Sequence, residues 1–144
     1  MDVGLRSRSR DAVQEPVEGQ AVILLDTHAL LWLQRNHKRA KPLARVAGRL
    51  YISPASLVEI QVITEEGRLH PIGTATPRDL LQDERWTQDD PPSAQWFDIA
   101  LDIGWTRDTF DRLLIAHARL RRWRLATADA VILEHLMPDE YLEL

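Results

Sequence analysis

The stretch AVILLDTHALLWL, residues 21–33, places an aspartate between two apolar segments. The five apolar residues before Asp26 form a continuous run, which is typical of a parallel strand covered on both faces. After Asp26 the apolar residues return with helical spacing, so the strand leads directly into a helix. Short apolar runs and helical periods keep alternating along the rest of the chain. The sequence therefore predicts an α/β fold built around a central parallel sheet.

The same patterns predict the individual elements. The predicted strands cover residues 21–25, 50–53 and 124–127, with a final edge strand at 141–144. The predicted helices cover residues 27–34, 41–50 (ending near Gly48), 54–67, 79–86, 92–105 and 108–123. Residues 87–93 contain two prolines and are predicted to form a loop, while 130–136 fit a helix or a strand equally well.

The chain has the size of one domain, with 144 residues, 44% of them hydrophobic and 28% charged. Residues 1–20 are polar without a periodic apolar face, so we expect a flexible extension followed by a folded domain at 21–144. No apolar run approaches the ~20 residues of a membrane span. The N-terminal segment lacks the apolar core of a secretory signal, and the chain has no cysteine. We therefore expect a cytoplasmic protein.

The net charge of −4 does not by itself indicate a nucleic-acid-binding protein. Basic residues nevertheless cluster in two places, at residues 35–41 and 119–124. Either cluster can be a solvated helix end, where cations are favoured by the helix dipole, or part of a phosphate-binding rim.

Four carboxylates fall where ligands bind in an open parallel sheet, outside the carboxyl ends of the strands. Asp26 directly follows the first predicted strand, and Asp129 follows the strand RLAT after one alanine. Glu59 lies in the first turns of the helix after the second strand, and Asp111 lies near the start of the longest predicted helix. The topology therefore predicts one acidic rim built from four separate segments.

Each aspartate also has a purely structural explanation as an N-cap or a first-turn acid. That explanation fits Glu59 and Asp111 less well. Glu59 lies in a helix that is apolar over most of its circumference, and Asp111 shares a face with Leu114, Ile115 and Ala118. A buried carboxylate without a partner either costs several kcal/mol or takes up a proton. A cation held by several carboxylates would remove that cost.

Oxygen ligands without cysteine indicate a hard cation, Mg²⁺ or Mn²⁺. The histidines are scattered and are not predicted as ligands. His117 lies about 240° around its helix from Asp111 at ~100° per residue. His28 is close to Asp26 in sequence, but we expect it on the exposed side of the first helix.

Four motifs resemble those of the PIN domain family, and within it those of the VapC-like toxin ribonucleases. LLDTHALLWL is similar to the opening strand with the first acid, and SPASLVEI to the second motif with Glu59 at the acidic position. WTRDTFDRLLIAHA, the most specific of the four, resembles the third motif, and LATAD the fourth. The resemblance covers residues 21–144.

The resemblance implies an α/β/α sandwich and Mg²⁺- or Mn²⁺-dependent RNA cleavage. It also implies a homodimer and inhibition by a cognate antitoxin protein, with type II toxin–antitoxin organisation. Carried over by motif, Asp26, Glu59, Asp111 and Asp129 are the implied catalytic acids and metal ligands, with Asp108 as a further ligand. Small hydroxyl residues often accompany this site, and Thr27 and Thr127 stand at those positions, although a purely structural role explains both threonines at least as well. An antitoxin helix could lie in an apolar groove near Leu30, Trp32 and Leu33, which a core role explains equally well.

The sequence departs from the family pattern in several places. The helix after Glu59 lacks a lysine that is common in the family, and Thr109 replaces a common proline. Residues 85–90 are too polar to indicate a third strand. None of these departures removes an acidic residue.

Two other functions share features with this sequence. A PIN-like scaffold can act as a non-catalytic binding module, although all four acidic positions are retained here. Phosphotransferases of the haloacid-dehalogenase type also begin with an aspartate after the first strand. They require a second aspartate where this chain has His28, and a late lysine, whereas no lysine follows Lys41.

Overall fold

The computed structural model describes residues 21–46, 48–69 and 76–144. The predicted extension at residues 1–20 lies outside the described residues.

The described residues contain one sheet in which every neighbouring pair of strands is parallel. Its strands are β1 (Ala21–Leu25), β2 (Gly48–Ile52), β3 (Thr87–Gln88), β4 (Arg124–Thr127) and β5 (Tyr141–Glu143). The order across the sheet is β3-β2-β1-β4-β5. β1 is therefore the central strand, and the predicted parallel α/β fold is confirmed.

The described part of the chain also contains α-helices and shorter 3₁₀ turns. The helices are α1 (Thr27–Gln34), α2 (Lys41–Ala44), α3 (Pro54–Glu65), α4 (Ser93–Leu101), α5 (Thr109–Arg121) and α6 (Ala130–His135). The 3₁₀ turns are Lys38–Ala40, Pro77–Gln82 and Pro138–Glu140. None of the described helices is long and apolar enough to span a membrane.

Alternate side chains of β1 divide the core into two layers. Val22 and Leu24 pack in a cluster with residues of α4 and α5, including Trp96 and Leu114. Ile23 and Leu25 belong to a second cluster with residues of α1 and α3. Since neighbouring residues of a strand face opposite sides of a sheet, the sheet is covered on both faces. The result is the predicted α/β/α arrangement.

The prediction of a helix over residues 41–50 was wrong. Only Lys41–Ala44 are helical, and Gly48 begins β2 as the register partner of Ala21. A Cβ atom on residue 48 would lie 1.9 Å from the carbonyl oxygen of Ala21. Gly48 therefore permits the close approach of β2 to β1 and does not end a helix. The β2 strand is also only half-buried along most of its length.

The sheet has a further strand, Thr87–Gln88, where the polar sequence predicted a loop. Thr87–Gln88 pair with the end of β2, and the amide of Asp89 donates to the carbonyl of Ile52 at 3.0 Å. Asp89 is buried, and its carboxylate accepts hydrogen bonds from His117 and Arg121 of α5. These side-chain bonds attach the edge of the sheet to α5, so β3 does not need apolar residues of its own.

The remaining predictions had mixed outcomes. The segment predicted as a helix at 79–86 is a 3₁₀ turn ending at Gln82. The ambiguous segment at 130–136 is helical over Ala130–His135, and the final segment is an edge strand, as predicted.

Candidate active site

A pocket of about 570 Å³ lies at the carboxyl edge of the sheet and is lined by all five predicted acids. Asp26 directly follows β1, Asp129 follows β4 after one alanine, and Glu59 lies on the helix that follows β2. A helix that connects parallel strands runs from the carboxyl edge of the sheet back to the amino edge. α5 precedes β4, so it begins at the carboxyl edge, where the pocket lies. Its start supplies Asp108 and Asp111.

Three of the aspartates cap helices, as the structural explanation predicted. Asp26 caps α1, Asp108 caps α5 and Asp129 caps α6, each accepting backbone N–H groups through Oδ1. The capping bonds leave the second carboxylate oxygen of each residue outside the cap. A capping role and a metal-binding role are therefore compatible in the same side chain.

Glu59 is positioned by the hydroxyl of Thr27. The Thr27 hydroxyl donates a hydrogen bond to Oε1 of Glu59 and also lies 3.1 Å from the Oγ of Ser56. Thr27 and Ser56 are both buried. The first residue of α1 thus fixes an acid on α3, across two elements that the sequence separates.

Thr127 has the same function on the other side of the pocket. Its buried Oγ1 accepts the backbone N–H of Asp129 at 3.1 Å, and its hydroxyl is hydrogen-bonded to the carboxylate of Asp26. The last residue of β4 therefore connects the acids that follow β1 and β4.

The pocket disfavours negative charge on its inner carboxylates. Burial, followed by the acidic neighbours Asp108, Asp129, Glu59 and Asp26, raises the pKa of Asp111 to about 7. Burial also raises the pKa of Asp26, although hydrogen bonds from Thr127 and Ala29 oppose the effect. The pKa of Glu59 is raised by burial as well, against the hydrogen bond from Thr27. These carboxylates repel one another and are partly removed from water.

The donor set fits a hard divalent cation that keeps part of its water shell. Within the described ranges, no three acidic or histidine side chains already lie close enough together to hold a metal ion directly. The carboxylates do converge on one pocket, and the raised pKa values of Asp26, Glu59 and Asp111 reflect burial and mutual repulsion that a cation would offset. Mg²⁺ usually retains several waters and needs only one or two direct carboxylates.

The two basic clusters have different locations. Arg35 and Arg39 of the first cluster line the same pocket as the acids, together with Arg68. In the second cluster, Arg119 pairs with Glu140, and Arg121 pairs with Asp89. Of the two alternatives left open for each cluster, the pocket lining favours a rim for the first, whereas Arg119 and Arg121 of the second are paired outside the pocket lining.

The histidines lie as predicted, and one has an additional role. His28 is exposed on α1 and lines the pocket. His117 is fully buried away from the pocket lining, and its Nε2 lies 2.8 Å from Oδ2 of Asp89.

Sequence reasoning missed two residues of the outer pocket, Trp32 and Arg68. Trp32, Arg35 and Arg39 line it beside the acids, but the sequence alone gave Trp32 a core or groove role. The signal available was the spacing of His28, Trp32 and Arg35, which places all three along one side of α1. Arg68 had no sequence signal, because it approaches from the end of the α3 segment.

The model of the PIN domain family matches residues 23–135. Among curated proteins there is no match.

Solved structures share the fold at low sequence identity. A toxin–antitoxin complex from Klebsiella pneumoniae is 17% identical, with a TM-score of 0.61, over 85% of this chain and 99% of that one. VapBC2 from Rickettsia felis, bound to a promoter DNA fragment, is 17% identical, with a TM-score of 0.59, over 85% and 97%. VapBC-1 from nontypeable Haemophilus influenzae is 16% identical, with a TM-score of 0.57, over 85% and 97%.

Proposed function

The chain belongs to the PIN domain family, and from that premise we propose that it is a metal-dependent endoribonuclease, the toxin of a type II toxin–antitoxin pair. The observation that carries the proposal is the convergence of five carboxylates in one pocket, where the pKa of Asp111 rises to about 7. Such a cluster is unfavourable in the absence of a cation and serves no packing purpose. Helix capping explains Asp26, Asp108 and Asp129, but a non-catalytic binding module would have no need for Glu59 and Asp111 in the same pocket.

Asp26, Glu59, Asp111 and Asp129 would hold a Mg²⁺ or Mn²⁺ ion, with Asp108 at the exposed side of the pocket. When bound, such an ion lowers the pKa of a coordinated water and stabilises charge on a phosphodiester. The protein's own contribution is orientation. Thr27 holds Glu59, and Thr127 holds Asp26, so the acids do not reorganise when the substrate arrives.

The remaining groups of the pocket would bind the substrate. Arg35, Arg39 and Arg68 line it beside the carboxylates and would contact the phosphates of the RNA backbone. Single-stranded or looped RNA is the favoured substrate because its backbone and bases are accessible.

We propose the groove between α1 and α3 as the binding site of a cognate antitoxin helix. A cavity of about 200 Å³ there is lined by apolar side chains that include Leu31, Ile60 and Leu80. Leu30, which the sequence suggested for this groove, is fully buried in the core, and Leu33 is half-buried. Amphipathic helices bind apolar grooves of this kind. The similar structures named above include toxin–antitoxin complexes, which supports the proposal.

We also propose a homodimer. Phe97 and Leu101 lie four residues apart on α4, and their side chains are 51% and 74% exposed. Residues at this spacing share one face of a helix, so they form an apolar surface that a second copy could cover.

The proposal is tested by RNA cleavage with the purified chain, free of antitoxin, in Mg²⁺ or Mn²⁺. Total RNA and a tRNA pool serve as substrates. We expect cleavage in the wild type and its loss in EDTA and in the Asp111→Asn variant. The matched control is Asp98→Asn, which alters an exposed acid of α4 outside the pocket and should leave cleavage unchanged.

If the wild type cleaves neither RNA pool, calorimetric titration with Mn²⁺ distinguishes two outcomes. Binding that is lost in Asp111→Asn would indicate a metal site with a narrow RNA target. Absence of binding would favour the non-catalytic module.

A further inference from the structure

A cluster of aromatic and basic side chains on and near α1 lies beside the acids, and all its members except His37 line the pocket. We call the set His28, Trp32, His37 and Arg39 the aromatic rim. The ring centroids of Trp32 and His37 lie 5.9 Å apart in a stacked arrangement, and those of His28 and Trp32 lie 6.1 Å apart. The guanidinium carbon of Arg39 lies 4.7 Å from the centre of the Trp32 ring.

The aromatic rim is continuous with the acidic pocket. His28, Trp32 and Arg39 line the same cavity as Asp26 and Asp111. Along α1, Trp32 lies six residues after Asp26, which corresponds to about 9 Å at 1.5 Å per residue. A molecule that occupied both places would therefore have to extend along α1.

Core packing does not account for the aromatic rim. Trp32 is only partly buried against the core, while His28, His37 and Arg39 are exposed. The Nη2 of Arg39 donates to the backbone carbonyl of Leu144 at 3.3 Å, which holds the guanidinium near the indole. An aromatic stack beside a tethered cation is the combination that proteins use to bind single-stranded nucleic acid.

We propose that the aromatic rim is a nucleotide subsite for single-stranded RNA, in which a base stacks against the His28 and Trp32 rings while Arg39 contacts the adjacent phosphate. The proposal rests on the nuclease function proposed above, in which the phosphate that is cleaved lies at the acidic end of the pocket. The offset of about 9 Å assigns the stacked base to a neighbouring nucleotide and not to the one that is cleaved. The subsite would thus hold the strand in register with the carboxylates.

Charge favours RNA over a protein partner for this subsite. Arg35 and Arg39 line the outer part of the pocket together with Arg68, which pairs with Glu66, so cationic side chains border the acidic inner part. A phosphodiester chain matches the cationic part, and its scissile phosphate would bridge to a cation held by the acids.

The test measures RNA binding without cleavage. The parent protein is the full chain carrying Asp111→Asn, and the probe is a short fluorescein-labelled single-stranded RNA of mixed sequence, followed by fluorescence anisotropy. Adding Trp32→Leu should weaken binding about tenfold, since stacking contributes roughly 1–3 kcal/mol per base and 1.4 kcal/mol is a factor of ten. Trp32→Phe should bind within about threefold of the parent, because phenylalanine also stacks.

Two variants of exposed residues keep the test independent of folding. His28→Ala should weaken binding, and Arg39→Gln should reduce the slope of log Kd against log salt by about one. The matched controls are Trp105→Leu, which removes the indole stacked on His135 outside the pocket, and Arg124→Gln at the opposite end of the sheet. Neither control should change the affinity.

Parent-like affinity in Trp32→Leu and His28→Ala would overturn the subsite while leaving the nuclease proposal intact. The same holds if Trp105→Leu weakens binding as much as Trp32→Leu. A parent protein that binds no single-stranded RNA would overturn the subsite, whereas the nuclease proposal is decided separately by RNA cleavage and Mn²⁺ binding of the wild type. If the Trp32 variants instead lose only a bound antitoxin peptide, the rim is a protein-binding surface and the RNA subsite is refuted.

Discussion

The Thr27 hydroxyl donates a hydrogen bond to the carboxylate of Glu59, joining the first residue of α1 to the middle of α3. Asp26, the residue before Thr27, caps α1, so one short segment caps a helix, contributes an acid and fixes another. Because this segment has both structural and chemical roles, mutations at the start of α1 should separate into those that affect folding and those that affect chemistry.

Asp26→Asn should separate the two roles of this side chain. Asparagine caps helices about as well as aspartate, so the free energy of unfolding should change by no more than about 1 kcal/mol. RNA cleavage should fall about a hundredfold or more, because one anionic oxygen is lost from the proposed metal site. Urea denaturation and cleavage rates check both expectations. Equal activity of Asp26→Asn and wild type would restrict Asp26 to capping.

Asp111 should make the metal-free protein less stable as the pH rises. Its folded-state pKa of about 7 lies above the ordinary value of 3.8, so the folded protein binds more protons than the unfolded chain in this range. The stabilising contribution is complete below pH 3.8 and is lost as the pH rises through about 7. In EDTA, the Tm of the wild type should therefore fall as the pH rises from 3.8 to about 7, and the Tm of Asp111→Asn should fall less.

Adding Mg²⁺ should offset that loss at pH 8 in the wild type, because the cation binds the ionised form. Thermal melting across pH, with and without Mg²⁺, measures both effects. The same pH profile in wild type and Asp111→Asn would contradict the assignment.

The buried carboxylate of Asp89 should stabilise the edge of the sheet. Burial raises the pKa of this carboxyl, but hydrogen bonds from His117 and Arg121 outweigh burial and hold the pKa below its ordinary value. This contribution is present above the ordinary pKa and is lost as the pH falls through the lowered one. Asp89→Ala should cost about 3 kcal/mol, because it leaves the partner groups unpaired.

Asp90→Ala is the matched control for Asp89→Ala, because Asp90 is the next residue in the chain and its side chain is exposed. It should change the free energy of unfolding by no more than about 0.5 kcal/mol. Equal losses in the two variants, measured by urea denaturation, would argue against a specific role for the Asp89 pair.

Gly48→Ala should destabilise the protein by roughly 1–3 kcal/mol, because the added Cβ meets the carbonyl of Ala21 in the neighbouring strand. Gly104→Ala is the control, since a Cβ there has no atom of the described residues within 4 Å. Thermal melting of both variants checks the difference. A neutral Gly48→Ala would mean that β1 and β2 can separate without cost.

Leu101→Glu should convert the proposed homodimer into a monomer, because it places a charge in the apolar surface of α4. Leu81→Glu changes another exposed leucine, 44% accessible and outside α4, and should leave the assembly unchanged. Light scattering gives the molar mass of each. A monomeric wild type would refute the dimer.

The sequence was sufficient for the features that local patterns determine. Two patterns are visible without coordinates: a continuous apolar run that ends at Asp26, and a helix face shared by Asp111, Leu114 and Ile115. Asp26 and Asp111 line the pocket, and Leu114 and Ile115 are buried, as these patterns predict. The acids could be assigned to one edge because parallel strands end together.

Other features depend on contacts between distant residues. β3 consists of two polar residues, and the Asp89 side chain that attaches its edge to the rest of the fold bonds to α5, about thirty residues later. Likewise, the position of Gly48 reflects contact with Ala21 and not a helix end. No local periodicity contains that information.

The pairing of β1 with β4, in which Ile23 lies opposite Arg124, also determines when the pocket can exist during translation. A nascent chain that has released only its first four helices from the ribosome has neither Thr127 to hold Asp26 nor Asp129 itself. The pocket is therefore complete only after Asp129, the last of its acids to be synthesised, has joined the acids that precede it in the chain. Under the proposed nuclease function, a chain still attached to the ribosome would not cleave the surrounding RNA until residues 124–129 emerge and dock against β1.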